Sequence, residues 1–228
     1  GVEDHVFAET STYTNPLKAV EFFRKTGCDA LAVSYGTMHG AAKGKNVKLR
    51  KEIVIAIKEC LRHEHMFGVL VSHGSSTVPR YIVDEINALG GNIQNANGIS
   101  IDELKAAIPC GIGKINVDTD IRLAVTRNMK EYFYQHPEKR RSPSIGGVYA
   151  LLEQKKEQFD PRVFFPPVME TVMYGKIPDQ DVAELMEVVE KGVKEAVGTL
   201  IVQFGSYGKA PLVKQTSLEE MAERYRKM

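Results

Sequence analysis

Apolar residues fall into two alternating patterns along this chain: stretches at helical spacing, and short unbroken runs between them. Leu17, Val20 and Phe23 share one helix face, with Asn15-Pro16 as cap and first turn and Gly27 as stop. Ala30 to Val33 is too short an apolar run for a helix and predicts a strand, followed by a glycine-bearing loop from Ser34 to Lys45. Ile53, Ile57 and Leu61 mark a helix over Arg50 to His65. Gly68 to Val71 predicts a second strand, leading into His73-Gly74-Ser75-Ser76-Thr77. Pro79 opens a helix through Ile82, Ile86 and Leu89 that Gly90-Gly91 stops. Ser100 and Glu103 have capping-box spacing and open a short helix, ended by Pro109 and Gly111. Lys114 to Val117 predicts a third strand, and Asp118-Thr119-Asp120 caps a long helix reaching Gln135.

Short strands alternating with helices, each strand mostly apolar, predict an α/β fold with a buried parallel sheet. Each strand runs into small and polar residues before the next helix, where a (β/α) barrel and an open α/β sheet alike place their chemistry. The pattern does not choose between those two folds. Beyond Gln135, His136 to Gly147 is basic and rich in Pro, Ser and Gly, which predicts a loop. Asp179 to Leu200 predicts one amphipathic helix with Val182, Leu185, Met186, Val189, Val193 and Val197 as its stripe, and the tail to Met228 ends in a charged helical stretch. The division expected is 1–135, 136–158 and 159–228: barrel part, loop or insertion, and a helical extension packed on the barrel.

Composition narrows the function. Thirty basic and twenty-nine acidic side chains leave a charge of +1, without a like-charge block, so neither nucleic acid nor a membrane surface is an expected partner. No run approaches the ~18 apolar residues of a membrane span. Cys28, Cys60 and Cys110 are too sparse for a disulfide framework or a structural zinc site, and read as small core residues of a reducing, cytoplasmic protein. The opening Gly1-Val2-Glu3-Asp4 is neither a signal peptide nor an initiator methionine, so the chain reads as a piece of something longer.

Two histidines carry candidate chemistry. His39 and His73 each follow a predicted strand and precede a glycine, thirty-four positions apart, about one βα unit. Neighbouring parallel strands would place both at the same sheet edge, where two imidazoles can share a metal; a catalytic zinc takes three protein ligands and keeps one position open. The bland alternative is a polar residue satisfied at a strand end. The small residues Gly74 to Thr77, the pair Asp118-Thr119 opening the next helix, and Lys43 four positions past His39 suit an anion, because backbone N–H groups and a helix N-terminus point positive charge at it. Ordinary caps and turn glycines are the competing explanation.

These residues resemble the class II, metal-dependent fructose-bisphosphate aldolases. The matching segments are YGTMHGAAKG (Tyr35 to Gly44), VSHGSST (Val71 to Thr77), KINVDTDIR (Lys114 to Arg122) and FDPRVFF (Phe159 to Phe165), with GVED and TYTNP near the start. The resemblance implies a (β/α)8 TIM barrel whose N-terminal strands are missing from this chain, with extra C-terminal helices. It implies His39 and His73 as two zinc ligands. Gly40, Lys43, Gly74, Ser76, Asn116, Asp118 and Thr119 would hold dihydroxyacetone phosphate, with Asn116 at the reacting end. It implies carbonyls of Met38, Gly40 and Gly74 around a monovalent cation (Na+ or K+), Arg162 on the second phosphate across a dimer interface, and Glu3 on a mobile catalytic loop.

The implied activity is reversible zinc-dependent cleavage of fructose 1,6-bisphosphate by a homodimer or homotetramer. Tagatose-bisphosphate cleavage and a non-catalytic phosphate-binding partial barrel are the alternatives. The family's third zinc ligand, preceded by the acid/base aspartate, has no counterpart here: Asp4-His5 maps to the mobile loop instead.

Overall fold

The computed structural model describes residues 13–37, 47–175 and 179–227. Helix α1 (Pro16–Thr26) is capped as its sequence predicts. The Asn15 side chain accepts from the amides of Leu17 and Lys18, and Gly27 turns left-handed at φ 64° to end it. The chain continues through β1 (Ala30–Ala32), α2 (Lys51–His63), β2 (Val69–Ser72), α3 (Arg80–Ala88), α4 (Ile101–Ala107), β3 (Ile112–Ile115) and α5 (Thr119–Gln135). Among the described residues the strands form one parallel sheet in the order β1-β2-β3.

The third strand begins two residues earlier than its apolar run suggests. Leu70 pairs with Ile112 but Val71 pairs with Lys114, so Gly113 is an extra residue taken up by a register shift. The Ser100–Glu103 capping box forms only by half. Ser100 accepts from the Glu103 amide, while the Glu103 carboxylate turns to the Leu49 amide and Lys51 Nζ at 3.0 and 2.7 Å. It ties α4 to the start of α2, and the Lys51 bond holds its carboxyl below the usual range.

One side of the sheet is covered. Leu31, Leu70, Ile112 and Ile115 pack with Val20 and Phe23 of α1, Val54, Ile57 and Leu61 of α2, and Leu104 of α4. The opposite side carries Ala30, Ala32 and Lys114, all exposed. The three cysteines are free and half-buried against the covered side.

The segment expected as a loop after Gln135 holds a 3-10 turn at Pro137–Arg141, and at Gly146 it begins helix α6 (Gly146–Gln154). Side chains bind this segment to the next long helix: Lys139 to Asp181 and Glu184, Ser142 to Asp181, and Ser144 to Asp179. After α7 (Pro166–Tyr174), α8 spans Gln180–Gln203, and α9 (Leu218–Arg226) is the charged tail helix. None of the described helices is long and apolar enough to cross a membrane.

The stripe of α8 departs from expectation in its second half. Val182 and Leu185 are buried, but Val193 and Val197 are 36% and 37% exposed, while Gly192 and Ala196 face inward. The cause is a close helix crossing: a Cβ on Gly192 would stand 2.9 Å from Val125 Cα and N and 3.0 Å from the Ala124 carbonyl carbon of α5. Small residues bring the backbones together and rotate the valines outward. Alanine at Gly192 should therefore destabilise by ~1–3 kcal/mol through overpacking. Alanine at Gly198, where nothing lies within 4 Å, should stabilise by up to ~1 kcal/mol through helix propensity. Urea unfolding midpoints of the two variants check this; a shift of the same sign in both would contradict the crossing.

Candidate active site

The carboxyl edge of the sheet gathers those predicted residues that the structure describes. His39, Gly40, Lys43 and Glu3 lie outside the described residues, as does the Met38 carbonyl. Because β1 and β2 are adjacent and parallel, with Ala32 beside Val71, the segments that follow them leave from the same edge. His73 is half-buried just past β2. Strand alternation sets it on the side of Val71, away from the Leu70 core.

His73 and Gly74 are bracketed by main-chain bonds to Asn116. The Asn116 amide donates to the Ser72 carbonyl at 2.8 Å, and the Ser75 amide donates to the Asn116 carbonyl at 3.2 Å. Gly74 takes φ 67°, a conformation glycine adopts without strain. The Asn116 side chain accepts from Lys114 Nζ at 2.5 Å through Oδ1. An ammonium only donates, so it holds the oxygen end and directs the amide N–H groups elsewhere.

The loops after β2 and β3 brace one another. Ser76 Oγ accepts from the amides of Asp118 and Thr119 at 3.3 and 3.0 Å, capping α5 from a different loop. Asp120, buried in the first turn of α5, returns the favour. Its carboxylate accepts from the amide and hydroxyl of Thr77 at 3.1 and 2.7 Å and from the Val78 amide at 2.9 Å. Val78 sits at φ 51°, rare for a β-branched residue, and the Asp120 bond helps to hold it there. Asp118, expected as the helix cap, makes no side-chain cap bond. The capping signal in Asp118-Thr119-Asp120 marks the helix start correctly, but the acceptor comes from Ser76.

Asp118 instead begins a chain of alternating charge. Arg122 Nε donates to its Oδ1 at 2.8 Å, and Arg122 reaches Asp160 Oδ2 at 2.5 Å. Asp160 in turn accepts from Arg162 Nε and Nη2, at 3.0 and 2.6 Å, and from its amide. The Arg162 bonds hold the Asp160 carboxyl below the usual range, against the opposing effect of burial, with Arg122 adding to the lowering. Arg162 itself remains largely exposed. Arg122 was not singled out by the sequence reasoning; its place four residues after Asp118 was the available signal.

Among the described residues no group of three His, Cys, Asp or Glu side chains is placed to hold a metal ion. They contribute one imidazole, His73, of the donor set that the motif implies.

A sequence profile described as fructose-bisphosphate aldolase class-II matches residues 1–209. A fructose-bisphosphate aldolase of Giardia intestinalis is 34% identical over 99% of this chain and 57% of its own length. One from Xanthobacter flavus is 31% identical over 93% of this chain and 49% of its own. The crystal structure of a Campylobacter jejuni fructose-bisphosphate aldolase superposes with a TM-score of 0.50 at 16% identity, covering 85% of this chain and 45% of that one, a likeness of fold alone. The chain spans about half the length of the curated relatives it matches. With its first 209 residues matched by that profile, the chain belongs to the class II fructose-bisphosphate aldolase family.

Proposed function

We propose that this chain supplies the phosphate-binding and electrophilic side of a class II aldolase that cleaves fructose 1,6-bisphosphate to dihydroxyacetone phosphate and glyceraldehyde 3-phosphate in the cytosol. The observation that carries this reading is the mutual bracing of the motif residues His73, Ser76, Asn116 and Thr119 at one edge of a parallel sheet. On this reading β1, β2 and β3 are the sixth, seventh and eighth strands of a (β/α)8 barrel, whose reactive groups lie at the carboxyl ends of its strands.

Class II aldolases are in general zinc-dependent, and His39 with His73 would be the part of the donor set this chain offers. A bound zinc would act as a Lewis acid toward the ketose oxygens. The chain's own groups do the rest. Lys43, Ser76, Asp118 and Thr119 take the phosphate end, where α5 adds the positive end of its dipole. Remote binding there orients the carbon–carbon bond to be broken. Asn116, its oxygen held by Lys114, donates an N–H to the charge developing on the ketose oxygens. Glu3 and the monovalent-cation carbonyls of Met38, Gly40 and Gly74 belong to the same proposal, as does a dimer or tetramer that brings Arg162 to the second phosphate.

In the natural full-length protein, His73→Ala should remove bound zinc and lower cleavage by at least ~10³-fold. Metal analysis and a coupled assay with fructose and tagatose bisphosphates check this, and normal zinc content would refute the ligand role. Borohydride added with substrate should trap no adduct; a covalent lysine adduct would overturn the metal reading. Arg162→Ala should raise the KM for bisphosphate ~10-fold or more, the worth of one charge-assisted bond, and leave kcat largely intact. An unchanged KM would leave Arg162 as a surface partner of Asp160.

A further inference from the structure

Behind His73, on the covered side of the sheet, three hydroxyls stand in a row. Tyr35 Oη lies 2.5 Å from Ser72 Oγ, and Ser72 Oγ lies 2.6 Å from Ser75 Oγ. All three residues are 0% exposed. Tyr35 belongs to the loop that leaves β1, Ser72 is the last residue of β2, and Ser75 follows the His73-Gly74 step. Neither the sequence motifs nor the proposed chemistry gives these hydroxyls a task.

The row is costly unless it is satisfied. A buried hydroxyl without a partner costs ~1–3 kcal/mol, and apolar side chains at these positions would avoid that risk. The main chain around it is equally constrained. The Arg50 amide donates to the Tyr35 carbonyl at 2.8 Å, and Asn116 holds Ser72 and Ser75 through its own amide and carbonyl. His73 and Gly74 thus form a two-residue excursion closed twice, by the Asn116 main chain and by the Ser72–Ser75 hydroxyl contact. Tyr35 extends the second closure to the neighbouring loop. Burial pushes the Tyr35 phenol above its ordinary value, so it stays a neutral donor and acceptor through the physiological range.

We propose that Tyr35, Ser72 and Ser75 are positioning residues: a buried hydroxyl relay that fixes the His73-Gly74 turn and couples it to the loop after β1. The relay sets the direction in which the His73 imidazole leaves the sheet edge, and touches no substrate. A task in catalysis rests on the aldolase reading above; the mechanical role does not.

The test uses Tyr35→Phe, Ser75→Ala and their double variant in the natural full-length protein, with two readouts. Hydrogen exchange should show the Ser75 and Asn116 amides ~10-fold less protected in each variant, the worth of one buried hydroxyl bond, while amides inside α5 around Met129 keep their protection. Once Ser75→Ala has opened the Ser72–Ser75 closure, Tyr35→Phe should add nothing, so the double variant should match Ser75→Ala. Loss of protection spread evenly over the protein, or single effects that multiply, would overturn the proposal. In the cleavage assay kcat should fall ~10-fold with KM within twofold; a KM rise at constant kcat would place these groups on substrate instead. Wild-type protein that cleaves neither bisphosphate, with variants that still lose protection only locally, would sink the aldolase reading and leave the relay standing.

Discussion

The first amides of a helix have no partner within it, and at a buried sheet edge water does not supply one. Here the acceptors cross between loops. Ser76, after β2, takes the first amides of α5, and Asp120, inside α5, takes the amides of Thr77 and Val78 ahead of α3. Each loop is held in shape by a side chain of the other. Loss of the Ser76 hydroxyl would strand the amides of Asp118 and Thr119, and loss of the Asp120 carboxylate those of Thr77 and Val78, so each loop depends on the other for its conformation. Every described residue of the proposed phosphate pocket sits on this brace or beside it.

Much of the frame was legible because local chemistry and tertiary packing agree. Asn15, Pro16 and Gly27 bound α1 where a helix needs an acceptor, a fixed φ and a left-handed exit. The parallel sheet followed from short apolar runs alternating with helices. What failed to show were partners chosen across the fold. Glu103 has the spacing to complete a capping box, but a lysine ammonium and an amide from another segment outbid the local amide. The stripe of α8 was read from its valines, whereas the crossing with α5 selects Gly192 and Ala196 because backbone proximity there leaves no room for a branched side chain. The apolar run puts β3 two residues late because Gly113 interrupts it, and the ladder steps over Gly113 by a register shift.

The candidate site divides in the same way. Its motif residues were recognisable as letters, and their gathering at one edge follows from parallel pairing. For Arg122 the sequence offers only its spacing from Asp118, because its other partner, Asp160, is distant in sequence. Asp118 and Asp160 would repel as neighbours; Arg122 between them turns two carboxylates into a fixed frame and passes Asp160 on to Arg162. On the proposed reading Arg162, already paired with Asp160, would meet a second phosphate. Its contribution would be the difference between carboxylate and phosphate as partners, a smaller quantity than the charge alone suggests.

The two faces of the sheet carry the remaining argument. The face toward the helices is filled by Leu31, Leu70, Ile112 and Ile115, while the other exposes Ala30, Ala32 and Lys114. Parallel sheets are ordinarily covered on both faces. On the proposed barrel reading the exposed face, with the small Ala30 and Ala32 on β1 and Lys114 near the end of β3, would be the inner lining. His73 and Asn116 then stand at its upper rim because the strands that carry them end there, with the hydroxyl relay and the loop brace behind them on the helix side. On that reading, Ser76 and Asp120, which satisfy buried amides, also hold the loops from which His73 and Asn116 would act.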